Sequence, residues 1–320
     1  MKMSEIWIYV ENHFNRVDPS SLQLITKAKE IANGRQVTAV ILEDHDQDFE
    51  NTVKQYGPNQ ILLVKNDNLK NASDETITNV LVDLAQEQKP DTILFGATVT
   101  GRSLAPRIQG RLKTGLTADC LDLRFDDDLL VATKPSYGDN IMCEITCPKN
   151  KPQMATVRPN TFEAVVDGSS EPKINEVEVT VDVDPRVTVS DEQGSVSNTR
   201  SIGTAKRIIA LGRGAQSESI IKKANELAGK IGAIVAVSRP LTDLPEFSHE
   251  QQIGQSGNTV APDLIINLGI SGAVQYVVGI QNAKTVVSVN TDPKAPIFDV
   301  SQYKYVGDAE AFLDGLIENV

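Results

Sequence analysis

The segment between residues 252 and 275 constrains the fold of this chain more than any other part of its sequence. An apolar run, Leu264–Leu268, leads directly into a G-I-S-G motif at positions 269–272, and a segment of helical character follows. This is the order of a buried strand, a tight turn and a helix N-terminus, where free backbone N–H groups favour a pyrophosphate. A second glycine-flanked loop, G-Q-S-G at 254–257, precedes it. Together the two loops indicate an extended, dinucleotide-type ligand.

The first 125 or so residues alternate short apolar segments with amphipathic ones. The apolar segments are rich in β-branched residues, as strands buried on both faces are. Four strands are predicted: Ile6–Val10, Val37–Leu42, Gln60–Val64 and Thr92–Ala97. Apolar residues at helical spacing predict helices over Leu22–Ala32 and Ile77–Ala85, the second with Ser73 as its N-cap. The alternation predicts an open, mostly parallel α/β sheet.

From about residue 129 the chain consists of short extended runs separated by prolines. We expect these runs to be added strands at the edge of the same domain: Leu129–Thr133, Asn140–Thr146, Gln153–Val157 and Glu176–Val183. A polar stretch rich in serine and glycine then precedes the C-terminal part and predicts an interdomain linker. The predicted organisation is therefore an N-terminal α/β domain over residues 1–190, a linker over 191–204, and a second domain over 205–320.

The last 115 or so residues return to regular alternation. The predicted strands are Ile208–Leu211, Ile234–Val237, Leu264–Leu268, Thr285–Val289 and Tyr305–Val306, and a helix with apolar positions from Ile220 to Ile231 connects the first two. This pattern predicts a second doubly wound, mostly parallel sheet. Ligands of such sheets bind beyond the carboxyl ends of the strands. The small and polar residues that follow each strand should therefore line one common rim.

Bulk properties exclude several classes of protein. The formal net charge is −12, which argues against a nucleic-acid partner because a phosphate backbone requires a basic surface. No apolar run approaches the ~20 residues that span a bilayer, so no membrane insertion is expected. Three cysteines and three histidines at irregular spacing predict neither a disulfide framework nor a metal site. Sparse thiols and the absence of a secretory leader predict a cytoplasmic location.

Two arginines follow strands at the predicted rim. Arg213 lies between two glycines and is suited to pair with a phosphate, although a surface arginine in an ordinary turn has the same pattern. Arg239 directly follows a buried strand, where it could place a positive charge beside an electron-accepting ring. The alternative for Arg239 is an ion pair with Asp243.

The remaining polar candidates at the rim also have simpler readings. Gln255 and Ser256 could bond to ring heteroatoms or a sugar, or be part of an ordinary polar loop. Ser271 suits a pyrophosphate or a helix cap, and Asn290 and Asp308 suit an adenosine or a turn. No metal-binding, phosphate-loop or nucleophile-elbow motif is present. The residues therefore indicate cofactor binding rather than acid–base catalysis, and we predict no catalytic residues.

Taken together, the motifs resemble the α subunit of electron transfer flavoproteins. In the C-terminal half the matching runs are L-G-R-G at 211–214, V-S-R-P at 237–240, Q-I-G-Q-S-G at 252–257, V-A-P-D-L at 260–264, G-I-S-G-A-V-Q at 269–275 and N-T-D-P-K-A-P-I-F at 290–298. In the N-terminal half they are G-R-S-L-A-P-R at 101–107, T-G-L-T-A-D-C at 114–120 and Q-M-A-T-V-R-P at 153–159. The resemblance extends essentially from end to end.

The resemblance implies a heterodimer with a separate β subunit and a Rossmann-like C-terminal domain that binds FAD. The N-terminal domain would form most of the subunit interface and would not carry this flavin. The residues that would contact FAD are Arg213, Ser238, Arg239, Ile253, Gly254, Gln255, Ser256, Ser271, Gly272, Ala273, Val274, Gln275, Tyr276, Asn290 and Asp308. Arg239 would sit beside the isoalloxazine and favour its reduced or anionic forms, and Ser256 would lie near its N5 and O4 edge.

Two positions depart from the family pattern. Tyr276 stands where many relatives have a histidine; its hydroxyl could replace a histidine hydrogen bond to the flavin but could not become cationic. Ser256 stands where many relatives have threonine, and the hydroxyl is retained. With these departures, the resemblance still implies an electron carrier rather than a stand-alone enzyme.

The carrier would take electrons from a dehydrogenase and pass them to a quinone reductase, a ferredoxin or another acceptor, within a bifurcating complex in some family members. The runner-up function is a nicotinamide-nucleotide-binding dehydrogenase or transhydrogenase subunit. A third is a nucleotide-sensing binding module without redox work.

Overall fold

The computed structural model describes residues 4–13, 15–70, 72–136, 141–168, 171–183, 186–187 and 202–320. The chain divides into two compact units, Met1–Ser195 and Val196–Val320, each with its own parallel sheet. The predicted class, α/β with two doubly wound, mostly parallel sheets, is confirmed. The predicted linker over 191–204 lies outside the described residues, apart from a 3₁₀ turn at Ile202–Thr204.

The first unit is built on a sheet whose described strands are all parallel. Its seven strands are β1 (Glu5–Val10), β4 (Gln36–Glu43), β5 (Gln60–Lys65), β6 (Thr92–Gly96), β7 (Leu116–Cys120), β11 (Gln153–Val157) and β12 (Lys173–Glu176). They lie in the order β12-β5-β4-β1-β6-β11-β7. A two-residue hairpin, β2 (Asn12–His13) with β3 (Arg16–Val17), follows β1. The first four predicted strands are all present, within one or two residues of their expected ends.

In the described part of the first unit, four helices flank this sheet: α1 (Pro19–Ile31), α2 (Glu50–Lys54), α3 (Asp74–Gln88) and α4 (Val99–Leu112). Ser73 caps α3 as predicted, because its hydroxyl accepts the backbone N–H of Thr76. The sequence pattern did not reveal α4, which contains a proline and two glycines. The helices and the sheet bury two apolar clusters on the two faces of the sheet, with Trp7 and Ile8 on opposite sides.

The extended runs after residue 129 do not have the arrangement that we predicted. β11 is not an edge strand; it lies between β6 and β7 and is buried along its whole length. β9 (Leu129–Ser136) and β10 (Ile141–Ile145) join β8 (Asp122–Asp126) in a separate antiparallel sheet. The predicted strand at Glu176–Val183 coincides with β12 only at its first residue. Strand pairing is decided by contacts with distant segments, which a local pattern does not contain.

The second unit has six described strands in one parallel sheet. They are β13 (Arg207–Leu211), β14 (Ile234–Ser238), β15 (Gln252–Ile253), β16 (Leu264–Leu268), β17 (Val286–Asn290) and β18 (Tyr303–Val306). The order β15-β14-β13-β16-β17-β18 corresponds to the 3-2-1-4-5-6 order of dinucleotide-binding sheets. The helices are α5 (Glu218–Ile231), α6 (Val274–Val277) and α7 (Ala309–Ile317). Among the helices described in the two units, none has the length and apolar composition needed to cross a bilayer.

An ion pair at the carboxyl end of β7 contributes to the stability of the first unit. Asp119 has a φ of +61° and accepts a 2.8 Å hydrogen bond from Arg158, whose side chain is only 9% exposed. Burial raises the pKa of Asp119, but the hydrogen bond and charge of Arg158 outweigh burial, so that the pKa is lowered overall. A lowered carboxyl pKa stabilises the fold above the unfolded value near 4, and the stabilisation is lost as the pH falls through the folded value.

We therefore expect Asp119→Asn to lower the free energy of unfolding by about 1–3 kcal/mol at pH 7, because a buried guanidinium loses its charged partner. Asparagine tolerates a positive φ, so backbone strain does not contribute. The difference from the unmodified protein should shrink below about pH 4. Urea unfolding at both pH values measures it. Asp128→Asn is the control, because Asp128 is 86% exposed and its pair with Arg35 should contribute less than about 0.5 kcal/mol.

Candidate functional site

A cavity of about 610 Å³ opens at the carboxyl ends of the second sheet. It lies where the strand order reverses, between β13 and β16, which is the position at which open α/β sheets bind ligands. Its volume is typical of a pocket for a small organic ligand or cofactor. The predicted common rim therefore exists. Each of β13, β14, β15, β16 and β17 contributes residues from its carboxyl end to the cavity wall.

The glycines at the strand ends allow two turns to pack against each other. The N–H of Gly212 donates to the carbonyl of Leu268 at 2.8 Å, and the N–H of Gly214 donates to the carbonyl of Gly269 at 3.1 Å. A Cβ atom on Gly212 would lie 2.7 Å from the carbonyl carbon of Gly269, closer than any ordinary contact. The close contact between the two turns at the floor of the crevice therefore requires residues without a side chain at these positions.

The Q-I-G-Q-S-G loop forms the opposite wall. Gly254 has a φ of +132°, and a Cβ atom there would lie 2.7 Å from the carbonyl oxygen of Gln275. The N–H of Gln255 donates to that same carbonyl at 2.7 Å, which ties the two predicted loops together. The buried amide of Gln252 donates to Ser256 Oγ at 2.9 Å. The Ser256 hydroxyl hydrogen is therefore left to point elsewhere, and it is suited to a ligand.

The G-I-S-G motif leads into a very short helix. α6 has four residues and continues as a 3₁₀ turn to Ile280. The N–H groups of Tyr276 and Val277 donate to the carbonyl of Ala273 at 2.9 and 3.1 Å, so those of Val274 and Gln275 remain as donors beside the cavity. Gly272 has a φ of +89° and packs against the backbone of Ile297, whose N–H donates to the Ser271 carbonyl at 3.0 Å.

The structure shows the ion-pair alternative for Arg239, and it places this side chain at the cavity. Arg239 lines the cavity, and its guanidinium also donates to Asp243 Oδ1 at 2.7 Å and to Thr242 Oγ1 at 2.8 Å. The side chain is 52% exposed, and that of Asp243 is 69% exposed. A pair this exposed is weak, so the guanidinium can turn toward a ligand at little cost in free energy.

Tyr276 has an orientation that differs from our expectation. Its hydroxyl does not point toward a ligand; it donates to Asn267 Oδ1 at 2.5 Å inside the sheet. The residue is 6% exposed, and burial raises the pKa of the hydroxyl well above its ordinary value. The hydroxyl that could replace a histidine hydrogen bond to the flavin is therefore engaged by Asn267 in this structure.

Most of the residues singled out in the sequence meet at this cavity. Those that line it are Arg213, Ser238, Arg239, Ile253, Gly254, Gln255, Ser256, Ser271, Ala273, Gln275, Tyr276 and Asn290. Gly272, Val274 and Asp308 do not line it. Six further residues line the cavity: Gln252, Pro240, Ile270 and the turn glycines at 212, 214 and 269. All but Gln252 belong to motifs that were predicted at the rim, but they were not selected as FAD contacts. Gln252 adjoins the selected Ile253 and follows no predicted strand.

Asp308 serves the fold instead of the cavity in this structure. It is the N-cap of α7, and its carboxylate accepts the N–H groups of Glu310 and Ala311 at 2.9 and 3.0 Å. We expect Asp308→Ala to lower the free energy of unfolding by about 1 kcal/mol through loss of the cap. FAD affinity should stay within twofold, and a titration of the deflavinated protein with FAD measures it. A loss of tenfold or more would instead support a direct contact with the cofactor.

The corresponding reversal point in the first sheet is filled by the protein itself. There β1 and β6 are neighbours, and the 3% exposed Glu11 follows β1. Its carboxylate accepts a 2.5 Å hydrogen bond from Thr98 at the N-terminus of α4 and lies 2.9 Å from His13 Nε2. A buried carboxylate beside the start of α4 disfavours a second anion at this point of the first sheet, because like charges repel.

The residues of the cavity fit FAD. The crevice is open along several strand ends, as an extended ligand requires, and it combines backbone N–H donors, two arginines and several amides and hydroxyls. In the described parts of the chain, no group of three His, Cys, Asp or Glu side chains could hold a metal ion. The three cysteines are free. The donor set is thus that of an organic, anionic cofactor.

Comparisons with known proteins agree with this geometry. Residues 6–182 match the electron transfer flavoprotein domain, and residues 201–281 match the electron transfer flavoprotein FAD-binding domain. The chain is 37% identical to the protein FixB of Clostridium saccharobutylicum, over 98% of this chain and 95% of that protein. It is equally similar to the electron transfer flavoprotein subunit alpha of Clostridium acetobutylicum, with 98% and 96% coverage.

A third relative is part of an enzyme complex. The lactate dehydrogenase (NAD(+),ferredoxin) subunit LctC of Acetobacterium woodii is 37% identical over 98% of this chain and 76% of its own length. The matched domains cover both units, and the FAD-binding match spans the loops that form most of the cavity wall. This chain therefore belongs to the electron transfer flavoprotein α-subunit family, and it is a flavoprotein that uses FAD to carry electrons.

Proposed function

We propose that FAD lies in the cavity at the carboxyl edge of the second sheet and that this chain works as a heterodimer with an electron transfer flavoprotein β subunit. The heterodimer takes electrons from a partner dehydrogenase and delivers them to a quinone reductase, a ferredoxin or another acceptor. The observation that carries the proposal is the convergence of five strand ends on one cavity whose wall contains the motifs of the FAD-binding domain.

In this proposal the cofactor supplies the electron-accepting ring, and the chain holds and orients it. The N–H groups at the start of α6 and the side chain of Arg213 bind the pyrophosphate by charge and hydrogen bonds. Ser256 and Gln255 donate to the ring edge. Arg239 raises the affinity of the ring for electrons by placing a positive charge beside it.

The first unit has a different role in the proposal. This unit contributes surface for the β subunit and does not carry this flavin; the buried Glu11, which disfavours an anion at the carboxyl end of β1, supports this part of the proposal. A cytoplasmic location belongs to the same proposal and is supported by the three free thiols. The similarity to LctC favours a second candidate role, in which the heterodimer is part of a complex that reduces ferredoxin.

Co-purification with the β subunit, followed by a flavin count, tests the proposal. We expect a yellow heterodimer with absorbance near ~450 nm, as an oxidised flavin carrier has. One FAD per heterodimer supports a simple carrier, and two support a bifurcating complex. A colourless protein that binds NAD(H) would instead indicate a nicotinamide-nucleotide dehydrogenase or transhydrogenase subunit. A colourless protein that binds only AMP or ATP would indicate a nucleotide-sensing module.

A further inference from the structure

A line of buried polar side chains crosses one face of the second sheet and ends at the cavity. The hydroxyl of Tyr276 donates to Asn267 Oδ1 at 2.5 Å, and the amide nitrogen of Asn267 donates to Ser288 Oγ at 3.1 Å. Asn267 on β16 and Ser288 on β17 are direct register partners, and neither is exposed. Ser301 Oγ lies 2.7 Å from both Ser288 Oγ and the carbonyl oxygen of Ile297.

This line is unexpected in an otherwise apolar layer. Asn267 is the one polar residue of β16, and the face on which Tyr276 packs contains Ile253, Val260 and Ile297. Burying an amide costs several kcal/mol unless its hydrogen bonds are made, so the site tolerates Asn267 only because both of its polar atoms have partners. The hydroxyl of Tyr276 is one of these partners, and its direction is fixed as a consequence.

The fixed hydroxyl has a consequence for the cavity. Tyr276 lines the cavity, but the one polar atom of its side chain is held in the sheet. Burial raises the pKa of this hydroxyl well above its ordinary value, so it remains a protonated donor to Asn267 throughout the physiological pH range. The side chain therefore offers only apolar ring surface to a ligand.

We propose that Asn267 is a positioning residue for the cofactor: by holding the hydroxyl of Tyr276 inside the sheet, it turns the ring of Tyr276 toward FAD and removes this hydroxyl from the side-chain donors that a ligand can reach. The proposal rests on FAD binding in this cavity. An apolar ring at position 276 would stay in this apolar layer, whereas a hydroxyl without its acceptor would leave it. Because Tyr276 directly follows Gln275, whose carbonyl accepts the N–H of Gln255 at 2.7 Å, that movement would also disturb the spacing of the two walls.

Three variants of the FAD-loaded heterodimer test this role: Tyr276→Phe, Asn267→Ala and the double variant. The readouts are the flavin midpoint potential, the visible circular dichroism of the flavin and the FAD dissociation constant. We expect Tyr276→Phe to leave the potential and the dichroism unchanged, because the hydroxyl does not face the cofactor. Asn267→Ala should raise the potential, since the freed hydroxyl can donate to the ring, and weaken FAD binding about tenfold, or ~1.4 kcal/mol.

The double variant separates positioning from a merely structural effect. Without the hydroxyl, the loss of Asn267 should no longer shift the potential, which should return to the value of Tyr276→Phe. Ser301→Ala is the matched control, because it removes a buried hydrogen bond from the same line but leaves the Tyr276–Asn267 bond in place. It should lower the thermal midpoint of unfolding without changing the potential.

Three results would overturn the inference. They are a shifted potential in Tyr276→Phe, an Asn267→Ala shift that persists in the double variant, and a Ser301→Ala shift as large as that of Asn267→Ala. If Asn267→Ala does not fold, the potential of Tyr276→Phe decides by itself. An unchanged potential supports a hydroxyl held away from the flavin, and a changed potential shows that the hydroxyl faces the flavin. An unmodified heterodimer without flavin would instead contradict the proposed function, so the two failures are distinguishable.

Discussion

Gly272→Ala should weaken FAD binding by about two orders of magnitude. Gly272 has a φ of +89°, and a Cβ atom there would overlap the backbone nitrogen of Ile297 and lie 2.5 Å from its Cα and 2.7 Å from the carbonyl carbon of Pro296. Only backbone atoms are in the way, so no side chain can move aside, and the loop that precedes α6 must shift. Strain at a positive φ and overpacking each cost about 1–3 kcal/mol.

The expected result is an FAD dissociation constant raised by roughly a factor of 100, which corresponds to about 3 kcal/mol. A fluorescence titration of the deflavinated heterodimer measures it, together with the ratio of flavin to protein absorbance after purification. Gly229→Ala is the matched control: it lies in α5, no atom lies within 4 Å of a Cβ at that site, and alanine favours the helix by up to about 1 kcal/mol. Normal FAD affinity in Gly272→Ala would show that this turn does not shape the site.

Arg239→Ala should lower the flavin midpoint potential while FAD remains bound. Two unit charges ~4 Å apart interact by about 4 kcal/mol at an effective dielectric constant near 20. That value is an upper bound here, because the Arg239 side chain is 52% exposed and paired with Asp243. We expect about a third of it, ~1.4 kcal/mol, or about 59 mV for a one-electron step. Spectroelectrochemical titration of the heterodimer measures the shift.

Two further variants make this test specific. Asp243→Asn removes the carboxylate that accepts from Arg239 at 2.7 Å, so it should shift the potential upward, opposite to Arg239→Ala. Lys284→Ala removes a similar exposed cation, paired with Asp263 at 3.0 Å, at the amino end of the same sheet. A five-residue strand, about 16 Å, separates the two ends, which exceeds the screening length of ~8 Å at physiological salt. The role of Arg239 fails if its removal and that of Lys284 shift the potential equally.

Local patterns in the sequence were sufficient to predict the strands and helices that follow one another along the parallel sheets. Short apolar runs such as Ile6–Val10 and Leu264–Leu268 became buried strands, and Ser73 became a helix cap. Because parallel strands end at one edge, the positions just after them could be assigned to one site without knowledge of the strand order. Twelve of the fifteen FAD contacts that the family resemblance implies line the cavity.

The incorrect predictions share one physical cause. The local pattern of residues 153–157 is compatible with an edge strand and with a central strand. Their central position follows only from pairing with β6 and β7. The direction of a side chain is also decided by what surrounds it. The sequence around Tyr276 does not indicate that its hydroxyl donates to Asn267, which lies nine residues earlier in β16.

The amino-acid sequence by itself determined the class of the fold, the family and the edge of the sheet at which the strand-end motifs meet, because these depend on local periodicity, on glycine turns and on motifs that a reader can recognise in order. Only the tertiary structure decided which glycines serve backbone packing, that Glu11 is buried beside the start of α4, and that Tyr276 faces its ring to the cavity. Those features depend on contacts between segments distant in the chain, where burial and hydrogen-bond satisfaction select one arrangement among several that the local sequence permits.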